Sequence, residues 1–337
     1  MNQYQKEYAG FLEKFLVPQP FGKLMARKPL KVVFDCSNGA AGPIIERIMN
    51  YELRIKKKNK SAIRNPQFII INSKLDGNFP AHGPNPLVKN AMEQIKKSVL
   101  KHKADLGVIF DADGDRAFFI DDKGRFVDPD EIAYLLIWSL KPKKIVYDVR
   151  TGWLVRRIMN NELRIKNKKG KTILHNSKFI IHESRVGHYF IKKLMREKDI
   201  GFGCEQSGHY YFKKFFYADS GILAAIEVIN AVSKLPYKFS DFIDLLPRYF
   251  RSGELNIKMN YELGIKNYEY LLKQIENKYK NRAIKISRID GLSIEFGDFW
   301  FNIRPSNTEP LARLNVEAID KKTLAKQTKI LLGLLRK

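Results

Sequence analysis

The chain has 337 residues, 44% of them hydrophobic; that is enough for two or three domains with their own cores, and no apolar run approaches the roughly 20 residues of a membrane span. Its two cysteines, Cys36 and Cys204, exclude a disulfide framework and fit a reducing cytoplasm, and the opening residues MNQYQKEYAGFLEKFL carry acidic side chains and no signal-peptide core. The 61 Lys and Arg against 36 Asp and Glu give a net charge of +25, a balance that suits nucleic acid or an anionic surface, yet much of the excess is bunched at 54–60 and 164–171 and no nucleic-acid motif accompanies it.

Taken in order, the hydrophobic pattern predicts layered α/β units followed by an α+β unit. Residues 1–28 read as an amphipathic helix, with Phe11, Leu12, Phe15 and Leu16 on one face, and a connection containing Pro18 and Pro20. A strand over 30–36 runs into the Gly-rich turn SNGAAG and a helix opened by Pro43. A strand over 68–72 precedes the loop DGNFPAHGPNP (76–86), a helix over 87–100 and a buried strand over 106–110. A strand over 118–120, the turn DDKG and a helix over 129–140 complete the first unit.

The alternation then repeats. A strand over 144–148, a helix over 153–159 and a strand over 179–181 lead to the VGH segment (186–188) and a helix ending near 197. A strand-to-loop segment over 200–209, a strand over 210–212 and a helix over 219–233 follow, with Ile222, Ala225, Ile226 and Ile229 inward. From 251 onward strands predominate, over 283–289, 292–296, 299–303 and 311–318, with helices over 268–279 and 322–335. The expected divisions are 1–28 (helix and linker), 29–141, 142–250 and 251–337.

A short repeat cuts across these units. IMNYELRIK begins at Ile48, IMNNELRIK at Ile158 and KMNYELGIK at Lys258. The third copy falls in a unit of another kind, so domain duplication does not account for it. The copies, with the basic runs 59–65 and 167–176, read as inserts at surface-tolerant positions. A repeated binding element is the other reading.

The chemistry centres on LGVIFDADGDR (106–116). An apolar strand ends in carboxylates at alternate positions, Asp111, Asp113 and Asp115, and small Ala112 and Gly114 between them let the backbone fold tightly enough to aim all three at one point. Three clustered anions suit a hard divalent cation with oxygen ligands, most simply Mg²⁺. A helix–loop–helix calcium site is excluded, because its sixth and twelfth positions hold Arg116 and Asp122 instead of Gly and Glu. A solvated acidic turn is the plain alternative.

Two further stretches follow in order, GCEQSGH (203–209) and RPSNTEPLAR (304–313). With DADGDR, they resemble the α-D-phosphohexomutases, most closely the phosphomannomutase/phosphoglucomutase branch. The resemblance runs from about residue 30 to the C-terminus; SNTEP in place of SGTEP points away from the phosphoglucosamine branch. It implies two layered α/β/α domains followed by a smaller α+β domain. It also implies a cytoplasmic mutase that moves a phosphoryl group between O1 and O6 of glucose or mannose through a 1,6-bisphosphate.

On that resemblance Asp111, Asp113 and Asp115 hold Mg²⁺, and Arg116 contacts the transferring phosphoryl group. Glu205 and Ser207 grip sugar hydroxyls, while Arg304, Ser306, Asn307, Thr308 and Arg313 take the other phosphate. Arg150, His188 and His209 are the candidates for a basic group and acid–base work near the reacting oxygens. The family's first domain, with its phosphoserine in a loop of the type TASHNP, has no counterpart among the 337 residues. The expectation is therefore a mutase that is incomplete without this domain; a fragment, a split gene whose separate partner chain supplies the domain, and a degraded copy all fit. A non-catalytic Mg²⁺- and phosphosugar-binding protein, or a basic nucleic-acid-binding protein, is the alternative.

Overall fold

The structure is a computed structural model that describes residues 1–16, 30–48, 67–158, 165–166, 172–173, 179–258, 264–306 and 311–335. The basic run 59–65, the run 167–176 apart from Thr172 and Ile173, and most of the repeat copies lie outside these residues. No helix among the described residues is long and apolar enough to cross a membrane.

Helix α1 (Gln3–Glu13) starts at a capping box in which Asn2 and Gln5 accept from each other's backbone N–H. The first sheet contains β1 (Lys31–Asp35), β2 (Gln67–Ile71), β3 (Leu106–Phe110), β4 (Ala117–Asp121) and β5 (Phe126–Val127). Their order is β2-β1-β3-β4-β5, the first three parallel and the last two antiparallel. Helix α2 (residues 41–48), α3 (Glu93–His102) and α4 (Pro129–Leu140) belong to this unit.

The second sheet repeats the plan. After β6 (Lys144–Asp148) and α5 (Trp153–Arg156) comes a separate hairpin, β7 (Ile165–Lys166) with β8 (Thr172–Ile173). Then follow β9 (Ile180–Ser184), α6 (His188–Lys198), β10 (Phe202–Cys204), β11 (Tyr210–Phe212), β12 (Ala218–Asp219), α7 (Gly221–Ser233) and α8 (Phe239–Leu245). Read from its far edge, this sheet runs β9-β6-β10-β11-β12, again three parallel strands and two antiparallel. The third sheet is antiparallel: β13 (Phe250–Arg251), β14 (Leu255–Lys258), β15 (Lys285–Ser287), β16 (Leu292–Glu295), β17 (Phe299–Pro305) and β18 (Leu311–Ala318). Helices α9 (Gly264–Tyr279) and α10 (Lys321–Leu335) accompany it.

Strand alternation explains the layering. Val32 and Phe34 of β1 join one core with α2, α4 and α7, whereas Val33 packs with Ile95 and Val99 of α3 on the opposite face. In the second sheet Ile145 and Tyr147 face the shared core, and Val146 faces Ile191 and Met195 of α6. Helix α7 is consequently buried almost all round. The first two units share one core, while the antiparallel sheet has its own.

Helix α1 packs against the second unit, where Phe11 stacks on Phe216 and Tyr8 meets Ser220. One sequence expectation needs adjustment. The helix expected over 87–100 begins only at Glu93. Asn85 accepts from Leu87 N–H in a local turn and Asn90 sits at φ +67°, so the backbone cannot enter a helix earlier.

The units are tied at a buried polar junction. Arg251 at the end of β13 pairs with Asp130 of α4 and, at 3.0 Å, with Glu317 of β18. Glu317 also accepts from the backbone of Trp153 and the indole of Trp300, and Asp130 accepts from Gly152 N–H.

Candidate active site

The carboxylate loop is shaped by its neighbours. Asp111 is the first residue past β3; its Oδ1 accepts from the backbone N–H groups of Gly114 and Arg116 at 3.2 and 3.1 Å, and its Oδ2 accepts from Arg116 Nε at 2.5 Å. Gly114 turns the chain at φ +78° and accepts from Gly221 N–H at the start of α7. A Cβ on Gly221 would stand 2.6 Å from Arg116 O, so only glycine allows this approach. On the other side Ala112 N–H donates to Pro84 O, and Ala112 O accepts from Ala40 N–H.

The result brings Asp111, Asp113 and Asp115 together, with one oxygen from each within 4.8 Å of the others. Burial pushes Asp111 up to about 6, against the pull of Arg116. Asp115 Oδ1 is buried without a hydrogen bond. An all-oxygen set with an unsatisfied buried acceptor fits a hard divalent cation.

The second loop meets the first directly. Arg116 and His209 form a β-bridge, and Ala117 N–H donates to Gly208 O. His209 Nε2 stands 3.4 Å from Asp115 Oδ2, and His209 Nδ1 stands 2.9 Å from Ser207 Oγ. Burial disfavours the charged imidazolium, but Asp115, Glu205 and Asp219 outweigh it and raise the His209 pKa. Glu205 is buried, accepting from Gly187 N–H at 3.0 Å and from Tyr211 OH at 2.6 Å. Arg150 closes the cluster, 3.5 Å from Glu205 and 3.4 Å from Ser207, and is itself gripped by Asp148. Burial works against the Asp148 charge, but Arg150 and, further off, Arg304 hold its pKa down.

His188 lies apart from this network. It is exposed at the first position of α6, next to the Gly187 that Glu205 anchors.

The third group sits on the antiparallel sheet. Arg304 and Arg313 are direct cross-strand partners on β17 and β18. Glu254 lies between them, 2.7 Å from Arg304 and 3.0 Å from Arg313. Arg313 also donates to Ser306 Oγ at 3.1 Å. Asn307 and Thr308 lie outside the described residues.

Sequence reading missed Asp148, Tyr211, Asp219 and Glu254. It also missed a pair behind the carboxylate loop, in which His82 stands 3.2 Å from buried Asp35 and is held above its ordinary pKa by that bond. Asp35 and Asp148 had a signal: KVVFD (β1) and KIVYD (β6) are equivalent strands, and each terminal Asp accepts from the N–H two residues on.

Three family models match in succession. Those for the phosphoglucomutase/phosphomannomutase α/β/α domains II and III match residues 6–124 and 128–249, and that for the C-terminal domain matches 254–332. A phosphomannomutase from Methanocaldococcus jannaschii is 36% identical over 311 residues, which cover 91% of this chain and 62% of the relative. The chain thus spans less than two thirds of that relative's length. Among solved structures, a phosphoglucomutase/phosphomannomutase family protein from Burkholderia thailandensis aligns with a TM-score of 0.75 at 23% identity, covering 98% of this chain and 64% of its own. An N-acetylphosphoglucosamine mutase from Aspergillus fumigatus, solved in complex with GlcNAc-6P and magnesium, shares the fold with a TM-score of 0.64 at 12% identity, covering 99% of this chain and 70% of its own. With three consecutive domain models and this relative agreeing over nearly the whole length, the chain belongs to the phosphoglucomutase/phosphomannomutase family.

Proposed function

We propose that these residues form the Mg²⁺- and sugar-binding part of a phosphohexomutase that interconverts hexose 1-phosphate and 6-phosphate, of glucose or mannose, through the 1,6-bisphosphate. The observation that carries this reading is the 3.4 Å approach of His209 to Asp115, which sets the carboxylate loop against the sugar loop. Mg²⁺ on Asp111, Asp113 and Asp115 would offset charge on a transferring phosphoryl group. Around it, Arg116 presents its fork, and Glu205 and Ser207 take ring hydroxyls. Arg304, Arg313 and Ser306, with Asn307 and Thr308, hold the second phosphate. His209, 3.4 Å from Asp115 and 2.9 Å from Ser207, is the acid–base candidate beside the reacting oxygens, with Arg150 fixing its surroundings and His188 as a second candidate.

We further propose that the phosphoserine of the reaction is supplied by a segment outside these 337 residues. The buried thiols of Cys36 and Cys204 suit a cytoplasmic setting.

Titration calorimetry with Mg²⁺ tests the metal assignment. Wild type is expected to bind, and Asp113→Asn, which removes one ligand charge, to bind at least about tenfold more weakly. Equal affinities would remove the metal from this loop.

A further inference from the structure

Glu254 has no part in the proposed chemistry, yet it occupies the position between Arg304 and Arg313 on the antiparallel sheet. Each of its oxygens takes one donor, Oε2 from Arg304 and Oε1 from Arg313. That bridging geometry is what a phosphate would use on the same two guanidinium groups. The carboxylate leaves the site under-filled: Arg304 is only 3% exposed, and its buried Nε has no hydrogen-bond partner. Among the described residues a single carboxylate, Glu254, bridges the two guanidinium groups.

The backbone on either side of Glu254 is fixed. Ser252 N–H donates to Val316 O, and Leu255 pairs with Leu314 on β18. The carboxylate can therefore leave the arginines by rotation about its own side-chain bonds, and at 28% exposure it has solvent to turn into.

We propose that Glu254 is an internal counter-ion that an incoming phosphate must displace, and that it makes the site selective for dianionic phosphate esters. The inference rests on the reading of Arg304 and Arg313 as a phosphate site. A dianion with three terminal oxygens can engage Arg304 Nε and Nη2 together while still bridging to Arg313, and it gains charge attraction over the carboxylate it replaces. A monoanion exchanges like for like and gains nothing. With both charges retained, phosphate and Glu254 could share the arginines only against their mutual repulsion.

Calorimetry with glucose 1-phosphate and with glucuronate, a monoanionic sugar, tests this on wild type, Glu254→Gln, Glu254→Asp and Arg304→Ala. Glutamine keeps the shape and one acceptor, and circular dichroism checks that each variant folds. Glu254→Gln is expected to bind glucose 1-phosphate about tenfold tighter and to narrow the preference over glucuronate. Glu254→Asp, too short to bridge both arginines, is expected to fall between wild type and Gln. If Arg304→Ala weakens glucose 1-phosphate while neither Glu254 variant tightens it, the counter-ion role is overturned and the phosphate site stands. If Arg304→Ala binds as well as wild type, the phosphate site itself is wrong, and the role of Glu254 falls with it.

Discussion

Replacing Arg251 by alanine is expected to destabilise the protein by about 3–5 kcal/mol, the usual cost of leaving a buried charge without its partner. Arg251 joins the antiparallel sheet to the shared α/β core through Asp130 and Glu317, and Trp153, Gly152 and Trp300 hang on the same two carboxylates. Burial already pushes Asp130 up to about 7, with Arg251 the main influence pulling it down. The sign follows: below about 7 the Asp130 carboxyl stays protonated in the folded state of both proteins, so its share of the difference is small. As the pH rises through about 7 it ionises against Arg251 in wild type and has no counter-charge in the variant, so the gap widens. Denaturant unfolding of both proteins at pH 6 and pH 8.5 measures it. An Arg251→Ala protein as stable as wild type at both values would mean that the junction is not what holds the units together.

The larger effect concerns catalysis. The 337 residues alone are expected to bind glucose 1-phosphate and to show no turnover in a coupled mutase assay, even with glucose 1,6-bisphosphate present. They offer the carboxylate loop, the sugar loop and the arginine pair, but no loop of the TASHNP type. A missing covalent participant removes a route and does not merely slow it. Adding a separately expressed phosphoserine-bearing domain is expected to restore turnover. Robust turnover without it would place the phosphoryl carrier among the present residues.

Much of this was legible in the sequence, for reasons that differ from residue to residue. Asp111, Asp113 and Asp115 are contiguous and follow a strand buried on both faces, so local pattern alone places them together. Helix α4 reads cleanly because Asp128 and Glu131 form a capping box around Pro129. Glu254 was not legible, because its contact with Arg304 spans 50 residues and depends on the register of β14 and β17 against β18. Strand β13 is two residues long and too short for any periodicity. The start of α3 turned on the left-handed backbone at Asn90, a choice made by the surrounding loop. Asp35 and Asp148 were within reach, had KVVFD and KIVYD been recognised as the same strand in two units.

On the proposed function, the carboxylate loop and the Arg304–Arg313 pair serve one ligand. Phosphorus-31 NMR of glucose 1-phosphate, with Mn²⁺ held below the protein concentration in place of Mg²⁺, tests it directly. Wild type is expected to broaden the phosphate resonance, and both Asp113→Asn, which removes a metal ligand, and Arg304→Ala, which removes a phosphate anchor, are expected to reduce the broadening sharply. A sugar phosphate that binds wild type with its resonance unbroadened, or one broadened equally by all three proteins, would contradict it.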